Sequence, residues 1–435
     1  MRIARGLRIS FLTAVISALS AASFSLPCLA ATTEQPLTVQ ENGADHFGLV
    51  EASGLQWNHL SSAHGDFPAP GPSLQQTGVV VGDLDKSGVN GFVLSFRQKP
   101  PALVWYRKTP SGWERSVIDK DYLTVEAGGV VYDVDGDGYP DLIFGADWQG
   151  GDVWWWKNPG PPYTPDKPWK RFLIKHGGAH QHHDQVIADF KGTGRPQLVY
   201  WNQGAKKLFI ADIPAHPEQV SEWPATEVFS GKAGENAGKY AEGVAACDVD
   251  GDGRVDLLAG NYWFKYLGNN QFKAIRIGTI GGRIAADRLI KGSKFAQVVI
   301  ASGDGNGPLK WYECKGDPEK TSDWVGHDLL GRDMIHAHSL QVADVDGDGN
   351  LDIFTAEMAK WTEKRNDPDN PNAEAFIFYG DGHGHFRKTV FAKGIGFHEA
   401  RVADLNGDGM MDILDKPYNW EVPRVDVWLQ VGRKK

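Results

Sequence analysis

The sequence predicts an all-β fold, a seven-bladed β-propeller, and three observations support this prediction. An acidic loop recurs along the chain, several strand-like runs follow each copy, and successive copies start 39 to 60 residues apart. A period of this length with several short strands per repeat is typical of propellers and solenoid arrays. The seven copies begin at Asp83, Asp133, Asp189, Asp248, Asp287, Asp344 and Asp404.

Four copies are intact nine-residue loops of the pattern DxDxDGxxD, with Asn replacing one Asp in the last. Side-chain oxygens at positions 1, 3, 5 and 9 suit Ca²⁺, which takes roughly 6–8 oxygen ligands, and the glycines permit the sharp turn. An EF-hand would need a Glu at position 12 and a helix after it, whereas apolar strand-like runs follow these loops. We therefore expect about four structural Ca²⁺ sites, each in a loop that joins two strands. The predicted calcium ligands are Asp133, Asp135, Asp137, Asp141, Asp248, Asp250, Asp252, Asp256, Asp344, Asp346, Asp348, Asp352, Asp404, Asn406, Asp408 and Asp412.

Four strand-like runs can be placed in each repeat. In the second repeat they cover residues 129–133, 142–145, 153–157 and 171–175. The last repeat has its third strand near residues 425–431, and its outer strand is predicted to come from residues 56–61. That strand would close the ring with both ends of the domain in one blade. We expect a single propeller domain over residues 45–435, after a linker over residues 31–44.

The first 30 residues have the features of a secretory signal peptide. Three arginines precede an apolar stretch over residues 9–22, and small residues lead to a predicted cleavage after Ala30. Lipidation of Cys28 is the alternative, but the residue before it, Pro27, is not the small residue that lipidation requires. No later stretch reaches the roughly 18 apolar residues of a membrane helix. We expect a secreted or periplasmic protein without a membrane span.

The net charge limits the kinds of molecule that the protein can bind, and the cysteine content bears on disulfide formation. The formal net charge is −10, which makes nucleic acid an unsuitable partner. Much of this acidity lies in the four intact loops, where bound Ca²⁺ would offset it. Cys247 and Cys314 lie in different repeats, and we expect two free thiols rather than a disulfide. The tryptophans that recur in the third strands are expected to fill the space between blades.

A ring of polar residues is predicted at one end of the central channel. Because the strand before each acidic loop is the innermost of its blade, residues at one offset from the loops should surround the axis. Three histidines and one glutamate at this offset form a set that binds Zn²⁺, Mn²⁺ or Fe²⁺, with Zn²⁺ our first choice. A hydrated channel without an ion is the alternative. The residues six positions before the loops are Thr77, Ala127, His183, Glu242, Gly281, His338 and His398.

Acid, base and aromatic groups are predicted on the same face of the propeller. For proton abstraction His336 is the first candidate, with His182 and Tyr240 next, and Arg283 would stabilise developing negative charge. The loops between second and third strands should also reach this face. Aromatic rings with amides and charges around a pocket suit a carbohydrate. The predicted substrate-binding residues are Arg97, Trp148, Asn202, Tyr262, Glu357, Lys416 and Tyr418.

The loops and strands resemble the FG-GAP/VCBS repeat, the calcium-loop unit of integrin α-subunit heads. A second resemblance concerns residues 335–349 with Glu357, residues 397–404 with Lys416, and residues 153–159 followed by the His180–His183 run. These segments look like the propeller domain of aldos-2-ulose dehydratases, also called anhydrofructose dehydratases. That resemblance implies a metal at the propeller mouth and dehydration of a keto-sugar.

The function expected from these observations is that of a metal-dependent carbon–oxygen lyase acting on a keto-sugar or related carbohydrate. The metal would polarise a carbonyl or carboxylate oxygen, and a neighbouring base would remove the adjacent proton. Two alternatives stay open. One is a polysaccharide lyase acting on uronate glycans, and the other is a non-catalytic propeller that binds a glycan or a protein.

Overall fold

The computed structural model describes residues 48–52, 54–231, 242–359, 369–418 and 422–433. The predicted signal peptide and linker, and the base candidate Tyr240, lie outside these residues. Short 3₁₀ turns cover Pro217–Gln219 and Thr321–Asp323, and the other regular elements of the described residues are β-strands. Within the described residues, no helix is long and apolar enough to cross a membrane.

The strands form seven antiparallel sheets, each a blade. Blades 1 to 3 contain β3 (Gln76–Gly82), β4 (Gly91–Phe96), β5 (Leu103–Thr109), β6 (Gly112–Asp119), β7 (Val130–Tyr132), β8 (Asp141–Gly145), β9 (Val153–Lys157), β10 (Lys170–Lys175), β11 (Gln185–Ala188), β12 (Gln197–Asn202), β13 (Lys207–Asp212) and β14 (Ala225–Ser230). Blades 4 to 6 contain β15 (Val244–Cys247), β16 (Asp256–Ala259), β17 (Tyr262–Gly268), β18 (Gln271–Arg276), β19 (Arg283–Asp287), β20 (Gln297–Ala301), β21 (Asn306–Cys314), β22 (Trp324–Ile335), β23 (Ser339–Ala343), β24 (Asp352–Ala356), β25 (Glu374–Gly380) and β26 (Phe386–Lys393). Blade 7 contains β27 (Arg401–Ala403), β28 (Asp412–Asp415), β29 (Asp426–Arg433), β2 (Leu55–Ser61) and β1 (Gly48–Ala52). The prediction of a seven-bladed all-β propeller is confirmed.

Blade 7 closes the ring by pairing the two ends of the domain. Strand β2 runs antiparallel to β29, with Trp57 opposite Gln430 and His59 opposite Trp428. This is the closure predicted from residues 56–61. Strand β1, which pairs with the outer side of β2, was not predicted. Buried side chains hold this pairing, because the His59 ring of β2 stacks on Trp428 of β29 at 4.2 Å between ring centres.

Large apolar side chains fill the space between neighbouring blades. One cluster joins Trp105 of blade 1 to Trp154 and Trp156 of blade 2, and another joins blades 6 and 7 around Trp57 and Trp428. All five rings are buried. This packing agrees with the prediction that the third-strand tryptophans fill the interior. Within the described residues, Cys247 and Cys314 are free thiols.

The acidic loops share a turn that is held by their first Asp. In six blades the carboxylate of this residue accepts a hydrogen bond from the backbone N–H at loop position 6, and in blade 5 the loop has a different form. The bonds come from Gly88, Gly138, Gly194, Gly253, Gly349 and Gly409. Because two eroded loops keep the same bond, the turn itself does not depend on the complete set of acidic side chains.

The inner strands approach one another closely at the end opposite the acidic loops. Gly128 has a φ of +95°, and a Cβ added to it would lie 2.5 Å from Asp184 Cα of the next blade. Gly243 has a φ of +76°, and its added Cβ would lie 2.7 Å from Ile284 N. Both positions therefore require glycine, for backbone conformation and for space. The channel has a narrow throat at this end.

Candidate metal centre at the channel mouth

Three of the predicted ring residues converge at the throat. His183, Glu242 and His338 each immediately precede or lie close before an inner strand, in blades 3, 4 and 6. Each offers one ligand atom, and these three atoms lie within 4.8 Å of one another. All three side chains are buried. Across β23, His338 lies six residues before Asp344, which is about 20 Å for an extended strand, so this cluster and the acidic loops occupy opposite ends of the channel.

Carboxylates brace the two histidines from behind. His183 Nδ1 lies 2.6 Å from Asp184 Oδ2, and His338 Nδ1 lies 3.2 Å from Glu399 Oε1. Arg283 joins these carboxylates, because its Nη1 lies 2.7 Å from Asp184 Oδ2 and 2.8 Å from Glu399 Oε1. A carboxylate behind Nδ1 orients the ring and leaves Nε2 for a metal. The network links blades 3, 5, 6 and 7 across the channel.

Charge acts differently on the two histidines. Burial lowers the pKa of His183, but the negative charges of Asp184 and Glu242 outweigh burial and raise its pKa to about 9. Burial dominates at His338 and lowers its pKa, although Glu399 and Asp304 act in the other direction. The difference follows from the closer carboxylate contact of His183 and from the cationic Arg283 near His338.

Glu242 is held by the loop between β20 and β21. The Asp304 N–H donates to Glu242 Oε2 at 3.0 Å, and Gly303 approaches so closely that an added Cβ would lie 2.1 Å from the same oxygen. Burial, followed by repulsion from Asp304, raises the pKa of Glu242 well above its usual value. A cation beside the carboxylate would reverse this effect.

His398, the fourth predicted ligand, is placed differently. Its ring stacks on His338 with ring centres 4.5 Å apart and planes 23° from parallel. Its Nδ1 lies against Nζ of Lys416, which also donates to His398 O at 3.1 Å and Gln76 O at 3.2 Å. The structure therefore brings His398 to the mouth, next to the cluster of three but outside it.

The predicted catalytic residues differ in how accessible their side chains are from the channel mouth. His336 is partly exposed, its Nδ1 lies 2.6 Å from Asp304 O, and its Nε2 lies 3.1 Å from Asp369 Oδ2. His182 is wholly buried, and each of its ring nitrogens lies 3.2 Å from a backbone carbonyl. Burial lowers the pKa of His182 to about 4. Arg283 is buried between carboxylates rather than open to the mouth. The geometry thus favours His336 over His182 as a base, and Arg283 acts as a counter-charge inside the network.

The substrate-binding candidates fall into two groups. Asn202, Glu357 and Lys416 are buried, and their polar atoms hold nearby segments: Asn202 bonds Ala179 and Ala205, and Glu357 bonds the N–H groups of Ile335 and Glu374. These contacts give the three residues structural roles, and substrate binding by them stays a prediction.

The other four candidates lie in more varied surroundings. Trp148 has 58% of its surface exposed, as a ring that stacks on a sugar would need. The Tyr418 ring lies 5.1 Å from His398, and Arg97 pairs with Glu126 at 3.3 Å. Tyr262 packs against Phe229 at 4.9 Å between ring centres.

Three acidic loops also offer clustered oxygens at the other end of the channel. The first, second and last Asp come together in blades 2 and 4, and the first three Asp in blade 6. These loops could hold a metal. The Asp at position 9 is also a structural latch: Asp141 accepts hydrogen bonds from Val134 N and Asn158 N. Burial raises the pKa of this Asp to about 7 in all four intact loops, a cost that a bound cation would offset.

The bracing residues were not assigned their roles from the sequence. Asp184 and Glu399 each follow a ring histidine by one position and have positive φ values of 48° and 57°. Asp184 contacts the imidazole directly before it, whereas Glu399 follows His398 but contacts His338 of the neighbouring blade, and alternation along a strand predicts neither contact. A carboxylate directly after a ring histidine is the available signal.

Similarity to known proteins agrees with this architecture. Residues 240–274 match the FG-GAP repeat. This FG-GAP repeat includes Glu242, β15 and the acidic loop of blade 4. No curated protein sequence matches the chain significantly.

Solved structures similar to this propeller include two rhamnogalacturonan lyases and a biofilm matrix protein. YesW has 14% sequence identity and a TM-score of 0.46, over 88% of this chain and 75% of that chain. The exotype lyase YesX has 13% identity and a TM-score of 0.47, over 89% and 75%. The V. cholerae biofilm matrix protein Bap1 has 16% identity and a TM-score of 0.39, over 66% and 43%.

Proposed function

We propose that the protein is a divalent-metal-dependent carbon–oxygen lyase that acts on a carbohydrate at the channel mouth. The observation that carries this proposal is the convergence of His183, Glu242 and His338, with a carboxylate behind each imidazole. Structural histidines do not need this arrangement, whereas metal ligands usually have it. Zn²⁺ suits such a set, and Mn²⁺ and Fe²⁺ are the other candidates.

The charges at the mouth also fit a divalent cation. The cluster and its bracing residues include four carboxylates, which are Asp184, Glu242, Asp304 and Glu399. Two guanidinium groups, those of Arg283 and Arg401, contact them. Three of these carboxylates, Asp184, Glu242 and Glu399, are buried, and burial makes such a concentration of negative charge costly. A divalent ion would offset this cost and would let Glu242 ionise.

A bound metal would polarise a carbonyl or carboxylate oxygen of the substrate and so acidify the neighbouring C–H. His336 is the base that we propose for this proton. Its Nδ1 donates to Asp304 O, and its Nε2 lies 3.1 Å from Asp369 Oδ2, so a proton taken up at Nε2 would be hydrogen-bonded to this carboxylate. The electron pair of the broken C–H bond forms a C=C bond. The C–O bond at the β-carbon then breaks, and its oxygen leaves with its electron pair and takes up a proton.

The surroundings favour a sugar as substrate. Trp148 is exposed on a loop that is hydrogen-bonded to the segment just before His183. Gln181 N donates to Asp147 O, and His182 N donates to Ala146 O. An exposed indole beside a polar, hydrogen-bonding mouth can stack on one sugar face. Loss of water from a keto-sugar and loss of a glycosidic oxygen from a uronate glycan use the same machinery. The acidic loops are proposed to hold Ca²⁺ as structural ions, which an exported protein would meet in abundance.

The test combines metal analysis with an elimination assay. Wild-type protein, His338→Ala and the control His385→Ala, whose side chain is 82% exposed, are dialysed and analysed for Ca, Zn, Mn and Fe. We expect about one transition metal per chain in wild type and control, and none in His338→Ala. Keto-sugars and uronate glycans are then tested for a product with ultraviolet absorbance from a new conjugated double bond.

Loss of the ligand should lower turnover about 100-fold or more, because metal polarisation contributes several kcal/mol to the transition state. A wild-type protein that retains no transition metal would overturn the proposal. So would full elimination activity in His338→Ala. Activity on uronate glycans alone would select the polysaccharide branch of the same reaction class.

A further inference from the structure

We propose that Asp304 is the fourth protein ligand of the channel metal and that His398 is not a ligand. This inference rests on the proposed function, because it completes the coordination set of the same site. The predicted ligand of blade 7, His398, is thus replaced by Asp304, which lies in the loop between the second and third strands of blade 5.

The first argument is distance. His338 Nε2 lies 3.5 Å from Glu242 Oε2 and 3.7 Å from Asp304 Oδ1. Two ligands bound at about 2.0–2.2 Å with tetrahedral angles lie about 3.3–3.6 Å apart. Both separations are close to this range, and both are long for a hydrogen bond. Asp304 lies outside the compact set of His183, Glu242 and His338, but a cation bound at His338 Nε2 would have its carboxylate within reach after a side-chain adjustment.

The second argument is the way in which Asp304 is held. Its N–H donates to Glu242 Oε2 at 3.0 Å, and its carbonyl lies 2.6 Å from His336 Nδ1. Ser302 Oγ donates to Gly305 O at 2.8 Å and closes the turn. The loop is thus tied to one ligand of the cluster and to the proposed base. Its carboxylate is 43% exposed at the mouth, where a substrate could reach the same ion.

The third argument concerns His398. Its ring is stacked nearly parallel to His338, so the nitrogens of the two rings point along parallel planes rather than toward one point. Lys416 lies against Nδ1 and is itself wholly buried. This lysine fixes the ring in its stacked position. His398 therefore packs beside the His338 ring without completing the coordination set.

The experiment measures metal binding without any assay of turnover. Metal-stripped protein in saturating Ca²⁺ is titrated with Zn²⁺ by calorimetry, and with Co²⁺ by visible absorbance, which reports coordination number and geometry. The variants are Asp304→Asn, His398→Gln and His338→Ala. Asp121→Asn is the matched control, because Asp121 is an exposed carboxylate in the loop that joins blades 1 and 2. Thermal melting of each metal-free variant checks that it is folded.

We expect Asp304→Asn to weaken Zn²⁺ binding at least about 10–100-fold, the loss typical even of residues that only support a ligand. Its Co²⁺ spectrum should change, whereas His398→Gln and the control should bind as wild type does. Wild-type affinity and spectrum in Asp304→Asn would overturn the inference, and so would loss of binding in His398→Gln. Either result leaves the proposed function intact as long as wild type binds the metal and His338→Ala abolishes binding. If wild type binds no transition metal, the proposed function fails as well.

Discussion

Replacing Gly243 by Ala tests whether the narrow throat positions the metal centre. The new Cβ would lie 2.7 Å from Ile284 N and 2.8 Å from Arg283 Cα. Ordinary carbon contacts are about 3.5–4.0 Å, so the overlap with Arg283 is about 1 Å against backbone that cannot turn away. Overpacking of this kind costs about 1–3 kcal/mol. A left-handed backbone conformation adds about 1–2 kcal/mol for a residue with a side chain.

The sum is a predicted loss of about 2–5 kcal/mol. Gly268→Ala, in the same blade, is the matched control, because Gly268 has a φ of +91° and nothing within 4 Å of an added Cβ. It should lose only the conformational part, about 1–2 kcal/mol. Guanidinium unfolding followed by tryptophan fluorescence measures both, and the comparison of midpoints isolates the effect of the throat. Equal destabilisation of the two variants would refute the reasoning.

A second readout connects this packing with the site. Gly243 N donates to Asp184 Oδ2 at 2.8 Å, and Asp184 braces His183. Displacing this backbone should therefore weaken transition-metal binding in Gly243→Ala by about the 10–100-fold typical of a lost supporting contact. Gly268→Ala should bind as wild type does. Calorimetric titration with Zn²⁺ measures the difference.

Two further predictions concern the acidic loops and the ring closure. Asp346→Ala should lower the melting temperature in Ca²⁺ but not after chelation, because the loop would lose a calcium ligand; equal melting of wild type with and without chelator would contradict the calcium assignment. Asp426 contacts His59 at 2.9 Å across the closure and Arg424 at 2.9 Å on its own segment. Burial tends to raise the pKa of Asp426, but these two partners outweigh it and lower its pKa. Its stabilising effect is therefore present above about pH 4 and lost as the pH falls through the lowered value. Asp426→Asn should cost about 3–5 kcal/mol at pH 7, and unfolding midpoints should show the gap to wild type narrowing below about pH 4; a gap that is constant with pH would refute the charge argument.

The fold could be predicted because its signal is repeated and local. Each acidic loop marks the end of an inner strand, and the apolar runs that follow it can only be the next strands of the same blade. Strand β1 escaped prediction for the same reason, since no loop or period marks it. The eroded copies illustrate how the turn survives substitution: Gln197 Oε1 accepts from Lys191 N, much as Asp141 accepts from Val134 N.

The site could be predicted only in part, because an offset from the loops places a residue around the axis but does not say where its side chain turns. Of the four polar ring residues, three bring ligand atoms together, while stacking and Lys416 hold His398 to one side. Asp304, which we propose as a ligand instead of His398, comes from a loop that has no fixed spacing along the chain from the acidic loops. Local backbone conformation was a further obstacle: Asp184 and Glu399 both have positive φ values, and they contact His183 and His338, respectively. The candidate ligands of this propeller are thus placed by two parts of its blades. The regular inner strands bring polar side chains toward the axis, and the irregular loops decide which of them come together.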